Sequence, residues 1–198
     1  MANPRVYHSP YPTPHYPTNL SVSQFLLQSD PDDVPGDKVI FADFEDPSRR
    51  ISYRQLRENA TRDAALLKSS YGIQEGDVVC IYAQNSLQWI QLAHAVMWAG
   101  GCFWFVILIS LASYTLTDIP RRSGINPLAS KYELEHYFNV ANPKIVAADG
   151  PLLANVEHAL EKLQIKPLVM AMEDDSQASP RGPPVVSCKT RWNAQLNG

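Results

Sequence analysis

Apolar positions along this chain fall into two rhythms, helical stripes and short continuous runs, and residues 51–101 show both most clearly. Leu56, Ala60, Ala64 and Leu67 share one helical stripe. Ahead of it, Ser52 and Gln55 stand at capping-box spacing, which predicts the helix start. Gly72 and the Gly76-Asp77 pair punctuate a turn. Residues 78–83 form an unbroken apolar run, as a strand covered on both faces requires. Asn85-Ser86 then predicts the start of a second helix and Gly100-Gly101 its end. Strand, crossover helix and next strand make a βαβ unit, a connection that is right-handed in nearly all proteins.

The same rhythms continue on both sides. Residues 23–29 predict a short helix, and residues 38–43 and 49–52 two strands joined by the turn Glu45-Asp46-Pro47-Ser48. Further on, Ser130 and Glu133 repeat the capping-box spacing before a stripe of Leu134, Tyr137, Phe138 and Ala141. Asn142-Pro143 ends that helix. Residues 144–149 then predict a strand, 152–163 a helix and 167–172 a further strand. Residues 1–19 form a proline- and tyrosine-rich leader, extended and expected to pack along the domain surface. Residues 173–198 turn acidic and then proline-rich without periodicity, and are expected to be a disordered tail. The fold class expected is α/β, with a helix-flanked, mostly parallel sheet over residues 20–172.

Taken in order, Ser52-Tyr53 with Leu56, Gly76-Asp77-Val78-Val79, Gln84-Asn85-Ser86, Ala99-Gly100-Gly101 and Asn126-Pro127 resemble the early N-terminal region of adenylate-forming enzymes. These are the AMP-dependent synthetases and acyl-CoA ligases, and the likeness is strongest to fungal 4-coumarate–CoA-ligase-like proteins. No single motif is specific; their order and spacing carry the resemblance, which covers roughly residues 20–172. It implies a truncated N-terminal part of such a domain. It also implies ATP-dependent activation of a small-molecule carboxylic acid to an acyl adenylate, followed by thioester formation with coenzyme A. ATP, Mg²⁺ and coenzyme A are the cofactors of the full-length family.

One stretch departs from that pattern. Between Ala95 and Thr117 there is no charged side chain, a length of apolar sequence that can cross a bilayer as a helix. A single-pass membrane protein with a small α/β module is therefore an alternative, with Arg121-Arg122 on its cytoplasmic side. Against it, the helix from Asn85 already uses the first third of the stretch. Removing residues 104–122 also joins Gly100-Gly101-Cys102-Phe103 directly to Ser123-Gly124-Ile125-Asn126-Pro127, the join that the resemblance implies. Residues 104–122 thus read as an apolar insert, and their codons permit translation of an unspliced short intron.

Composition narrows the function classes. The chain has 198 residues, 45% hydrophobic and 19% charged, enough for one domain with a real core. A net charge of −3 without a basic run argues against a nucleic-acid partner. Cys80, Cys102 and Cys188 are odd in number and far apart, which suits a reducing compartment, and a cytoplasmic location is expected, with the membrane as the alternative.

Candidate chemistry is sparse. Adenylate formation needs cations, backbone amides and a metal around the phosphates. Yet these residues contain no glycine-rich phosphate loop, no Gly-x-Gly-x-x-Gly and no Walker sequence. His8, His15, His94, His136 and His158 show no metal-ligand pairing, and His94, among apolar neighbours, reads as a hydrogen-bonded core histidine. Cys80 is expected to be inert within its strand, and Cys102 lacks a base partner. Trp89 and Trp98 read as core, and the acidic groups at 30–33 and 173–175 as solvated loops. No catalytic, cofactor-binding or metal-binding residue is assigned. These residues by themselves are expected to bind no cofactor and to be inactive. A nonenzymatic regulatory module is the remaining alternative.

Overall fold

The computed structural model of the protein describes residues 8–12, 15, 17–29, 33–105 and 131–172. Two helices and a hairpin come first. α1 (Val22–Gln28) is closed by a capping box between Ser21 and Gln24. β1 (Val39–Ala42) and β2 (Arg50–Ser52) pair antiparallel as a separate two-stranded sheet. α2 (Tyr53–Ser69) follows at once, its capping box formed by Ser52 and Gln55 as the spacing predicts. The expected stripe is its buried face, with Leu56 1%, Ala60 0%, Ala64 2% and Leu67 0% exposed.

The main sheet is built from β3 (Val78–Tyr82), β4 (Cys102–Phe105), β5 (Ile145–Asp149) and β6 (Leu168–Met172), in the order β4-β3-β5-β6. All of its pairings are parallel. α3 (Leu87–Ala99) connects β3 to β4, α4 (Lys131–Ala141) precedes β5, and a 3₁₀ turn with α5 (Leu153–Glu161) leads to β6. Two apolar clusters sandwich the sheet. On one face α2 and α3 pack over Val79, Ile81, Ala147 and Met170. On the other, Leu134 and Phe138 of α4 and Val156 and Ala159 of α5 pack over Cys80, Tyr82, Val146 and Ala148. Alternate residues of each central strand thus serve opposite faces, and the continuous apolar runs follow from that.

The turn between α3 and β4 shows why two glycines stand there. Gly100 has φ +91°, and its N–H and that of Gly101 reach Met97 O and Val96 O, satisfying carbonyls at the helix end. A Cβ on Gly101 would lie 3.1 Å from both Asp77 O and the Val96 side chain. Gly100 supplies the left-handed backbone and Gly101 the close approach.

One expectation changes. The stretch 95–117 is not one helix: α3 stops at Ala99, Gly100 turns the chain, and β4 begins at Cys102. No helix among the described residues is long and apolar enough to cross a membrane. The remainder of that stretch, with Ser130 of the second capping box and the 173–198 tail, lies outside the described residues. The first two residues of the apolar insert read over 104–122 are described. Trp104 and Phe105 are strand residues in register with Cys80 and Ile81, and Trp104 packs into the α4–α5 cluster. The described leader residues are exposed, Tyr11 at 80%.

Candidate functional site at the carboxyl edge of the sheet

In an open parallel sheet, ligands bind beyond the carboxyl ends of the strands, where successive connections leave in opposite directions. Here that point lies between β3 and β5. The chain leaves β3 through α3 on one face and enters β5 through α4 on the other. The residues that meet there are Tyr82, Gln84 and Asn85 after β3, with Asp149 at the end of β5. Asp149 is already engaged: its carboxylate accepts a hydrogen bond of 2.8 Å from the Gln84 backbone N–H. This bond ties the two strand ends together. Ser86 caps α3, its hydroxyl accepting from Trp89 N at 3.1 Å.

Tyr82 is fully buried, and burial is the main reason its phenol is held above the ordinary range. A hydrogen bond to the Asn155 side chain works the other way, and the Glu133 carboxylate adds to the rise. The edge therefore offers a carboxylate and amides, while the neutral Tyr82 phenol is closed off from solvent. Such a set can orient a neutral polar group, but it is poorly suited to a triphosphate, which needs cations. No catalytic step is assigned to these described residues.

Away from the edge, an open groove of about 550 Å³ lies between the hairpin and α2, lined by Asp37, Arg50, Ser52 and Arg54 among others. The Arg54 guanidinium covers Gly36, where a Cβ would lie 2.9 Å from its Nε. Among the described residues no group of three His, Cys, Asp or Glu could hold a metal ion.

The residues singled out from the sequence take structural places. His94 Nδ1 is hydrogen-bonded to the Ser23 hydroxyl at 3.0 Å, and burial lowers its pKa below the ordinary 6.5. That is the core histidine expected. Cys80 is buried, which pushes its thiol up to about 12 and leaves it inert. Cys102 is exposed at the start of β4. His136 is exposed, edge-on to Tyr137. Trp89 packs edge-on against Phe103 at 6.1 Å, and Trp98 joins two core clusters.

A buried polar network was missed. Asp63 has no exposed surface, and its carboxylate accepts from Gln91 Nε2 and Arg62 Nε, each at 3.0 Å. Asn59 Nδ2 in turn donates to Gln91 Oε1 at 3.2 Å, so α2 and α3 are linked through Gln91. The signal was present: Asp63 falls on the stripe of Ala60 and Leu67, where a charge must find a partner.

The AMP-binding enzyme family model matches residues 28–190. This chain belongs to that family. Acyl-CoA ligase azaF of Aspergillus niger is 29% identical over 125 residues, covering 63% of this chain and 20% of that protein. Phenylacetyl-CoA ligase epaB of Aspergillus niger is 28% identical with the same shares. The luciferase-like enzyme of the nonluminescent mealworm Zophobas morio has the same fold with a TM-score of 0.62 at 18% identity, over 83% of this chain and 35% of that one. The chain thus spans 20% of the length of these two curated relatives.

Proposed function

We propose that these residues form the first part of an acyl-CoA-ligase-type adenylate-forming domain and supply its scaffold, not its chemistry. The observation that carries the reading is the family match over residues 28–190, on a chain whose strands β3–β6 form a parallel, helix-covered sheet. In the whole protein the reaction is activation of a carboxylic acid with ATP and Mg²⁺, then transfer of the acyl group to coenzyme A. The fungal 4-coumarate–CoA-ligase-like subtype is the finer reading, supported by the resemblance of residues 52–101 and 126–127. The groups that handle phosphate belong to other parts of such a protein, since no phosphate loop occurs in these 198 residues.

Two measurements test this. The purified 198-residue chain should give no carboxylate-dependent ATP–pyrophosphate exchange, and clear exchange would refute the scaffold reading. Grafting residues 28–105 in place of their counterpart in the Aspergillus niger acyl-CoA ligase should leave a folded protein that still forms thioester. A graft that folds but makes no thioester would count against the ligase assignment.

A further inference from the structure

The groove between the β1–β2 hairpin and α2 holds two guanidinium groups that the fold does not neutralise. Alternation along β2 sends Ile51 into the core and leaves Arg50 and Ser52 on the other face. At the start of α2, Tyr53 and Leu56 are buried, while Arg54 and Gln55 line the groove. Asp37 and Ser48 lie along the same space of about 550 Å³.

The backbone holds these walls in place. Tyr53 N donates to Lys38 O and Arg54 N to Gly36 O, each at 2.9 Å, and Gln55 N donates to the Ser52 hydroxyl at 3.3 Å. The first three amides of α2 are thus engaged, so whatever binds here binds to side chains. The Arg54 guanidinium lies over Gly36, where a Cβ would stand 2.9 Å from Nε and 3.0 Å from Nη2. The Gly36 backbone is not left-handed, so its missing Cβ supplies room for the guanidinium rather than a special turn.

Among the described residues, Arg49, Arg62, Lys144 and Lys162 each have a carboxylate partner, whereas Arg50 and Arg54 have none. Asp37 lines the groove yet forms an ion pair with neither. Two guanidinium forks suit the three terminal oxygens and the charge of about −1.5 to −2 on a phosphate monoester better than they suit a single carboxylate. The Asp37 carboxylate repels bare phosphate but accepts hydrogen bonds from hydroxyl groups.

We propose that this groove binds a small phosphate monoester that carries hydroxyl groups, with Arg50 and Arg54 on the phosphate and Asp37 on a hydroxyl.

Glycerol phosphate titrated into the 198-residue chain at low salt, followed through the arginine Nε–Hε resonances, tests it. Saturable binding is expected, shifting the Arg50 and Arg54 signals and weakening as salt is added. Arg50→Gln and Arg54→Gln should each raise the dissociation constant about tenfold. Arg57→Gln changes the net charge equally but should leave binding intact, because Arg57 lines a neighbouring groove with Glu58. Inorganic phosphate should bind more weakly than glycerol phosphate, and Asp37→Ala should erase that preference. All four side chains are exposed, so these variants are expected to fold. Absence of saturable binding overturns the proposal. Equal losses in all three arginine variants would do so too, marking attraction to net charge only. Binding kept in both Arg50→Gln and Arg54→Gln, or a preference that survives Asp37→Ala, also overturns it.

Discussion

The two faces of the sheet are held by different means. Over one face, α2 and α3 meet through a packed apolar surface with a buried carboxylate in it, Asp63, satisfied by Gln91 and Arg62. Over the other, α4 and α5 pack mainly apolar side chains against the sheet, with the Tyr82 phenol hydrogen-bonded to the Asn155 side chain and no buried carboxylate in the cluster. Their ion pair, Lys162 with Glu135 at 2.8 Å, sits at the rim with Lys162 46% exposed. The contrast separates two tasks. Apolar area supplies most of the stability on both faces, whereas a hydrogen-bonded polar group admits one helix register and penalises the others.

The apolar face should therefore be the costlier to damage at a single position. Phe138 is fully buried among Leu134, Val156 and the sheet. Phe138→Ala leaves a cavity there and should lower stability by about 3–5 kcal/mol in urea unfolding. A loss below about 1 kcal/mol would mean that α4 is not packed as described.

Removing the polar group on the opposite face should cost less. Asp63→Ala leaves Gln91 Nε2 without its acceptor, for about 1–3 kcal/mol. The loss stays below that of a fully buried ion pair because the Arg62 side chain, 44% exposed, returns to water. The double change Asp63→Leu with Gln91→Leu should recover much of the stability. It should also broaden the methyl resonances of α2 and α3, as alternative registers become accessible. A double variant no more stable than Asp63→Ala would show that the network contributes stability itself, and the contrast between faces would fail.

The same contrast explains which parts were legible beforehand. Stripes such as Leu56–Ala60–Ala64–Leu67 and runs such as residues 78–83 report burial directly, and the elements lie within a residue or two of where those patterns put them. Caps were legible for the same local reason: Ser52 with Gln55, Ser86, and Gly100 each solve a problem of orphaned backbone groups. The strand character of Trp104-Phe105 was not legible because its evidence is nonlocal. Only pairing with Cys80 and Ile81 distinguishes a strand from the start of an apolar insert. At the site, the bond between Gln84 and Asp149 spans 65 positions and leaves no trace in spacing. Asp63 was overlooked although its place on an apolar stripe announced it.

The smallest expected effect concerns pH and the docking of α1 on the α2–α3 side. His94 on α3 holds Ser23 of α1, and burial depresses its pKa below 6.5. A base with a depressed folded pKa binds fewer protons folded than unfolded. As pH falls through 6.5 the unfolded chain takes up a proton that the folded chain resists, so stability declines, levelling off below the folded pKa. Asp77 does not confuse this window. Its hydrogen bond from Lys144 holds its carboxyl below the ordinary 3.8, so the stability it adds is lost only in stronger acid, as pH falls through that lowered value. The urea midpoint of the wild-type chain should thus drop between pH 7.5 and 5.5, and His94→Gln, which still offers Ser23 an acceptor, should flatten that drop. An undiminished drop in the variant would assign the acid sensitivity elsewhere, and the half-buried imidazole would lose its role in fastening α1.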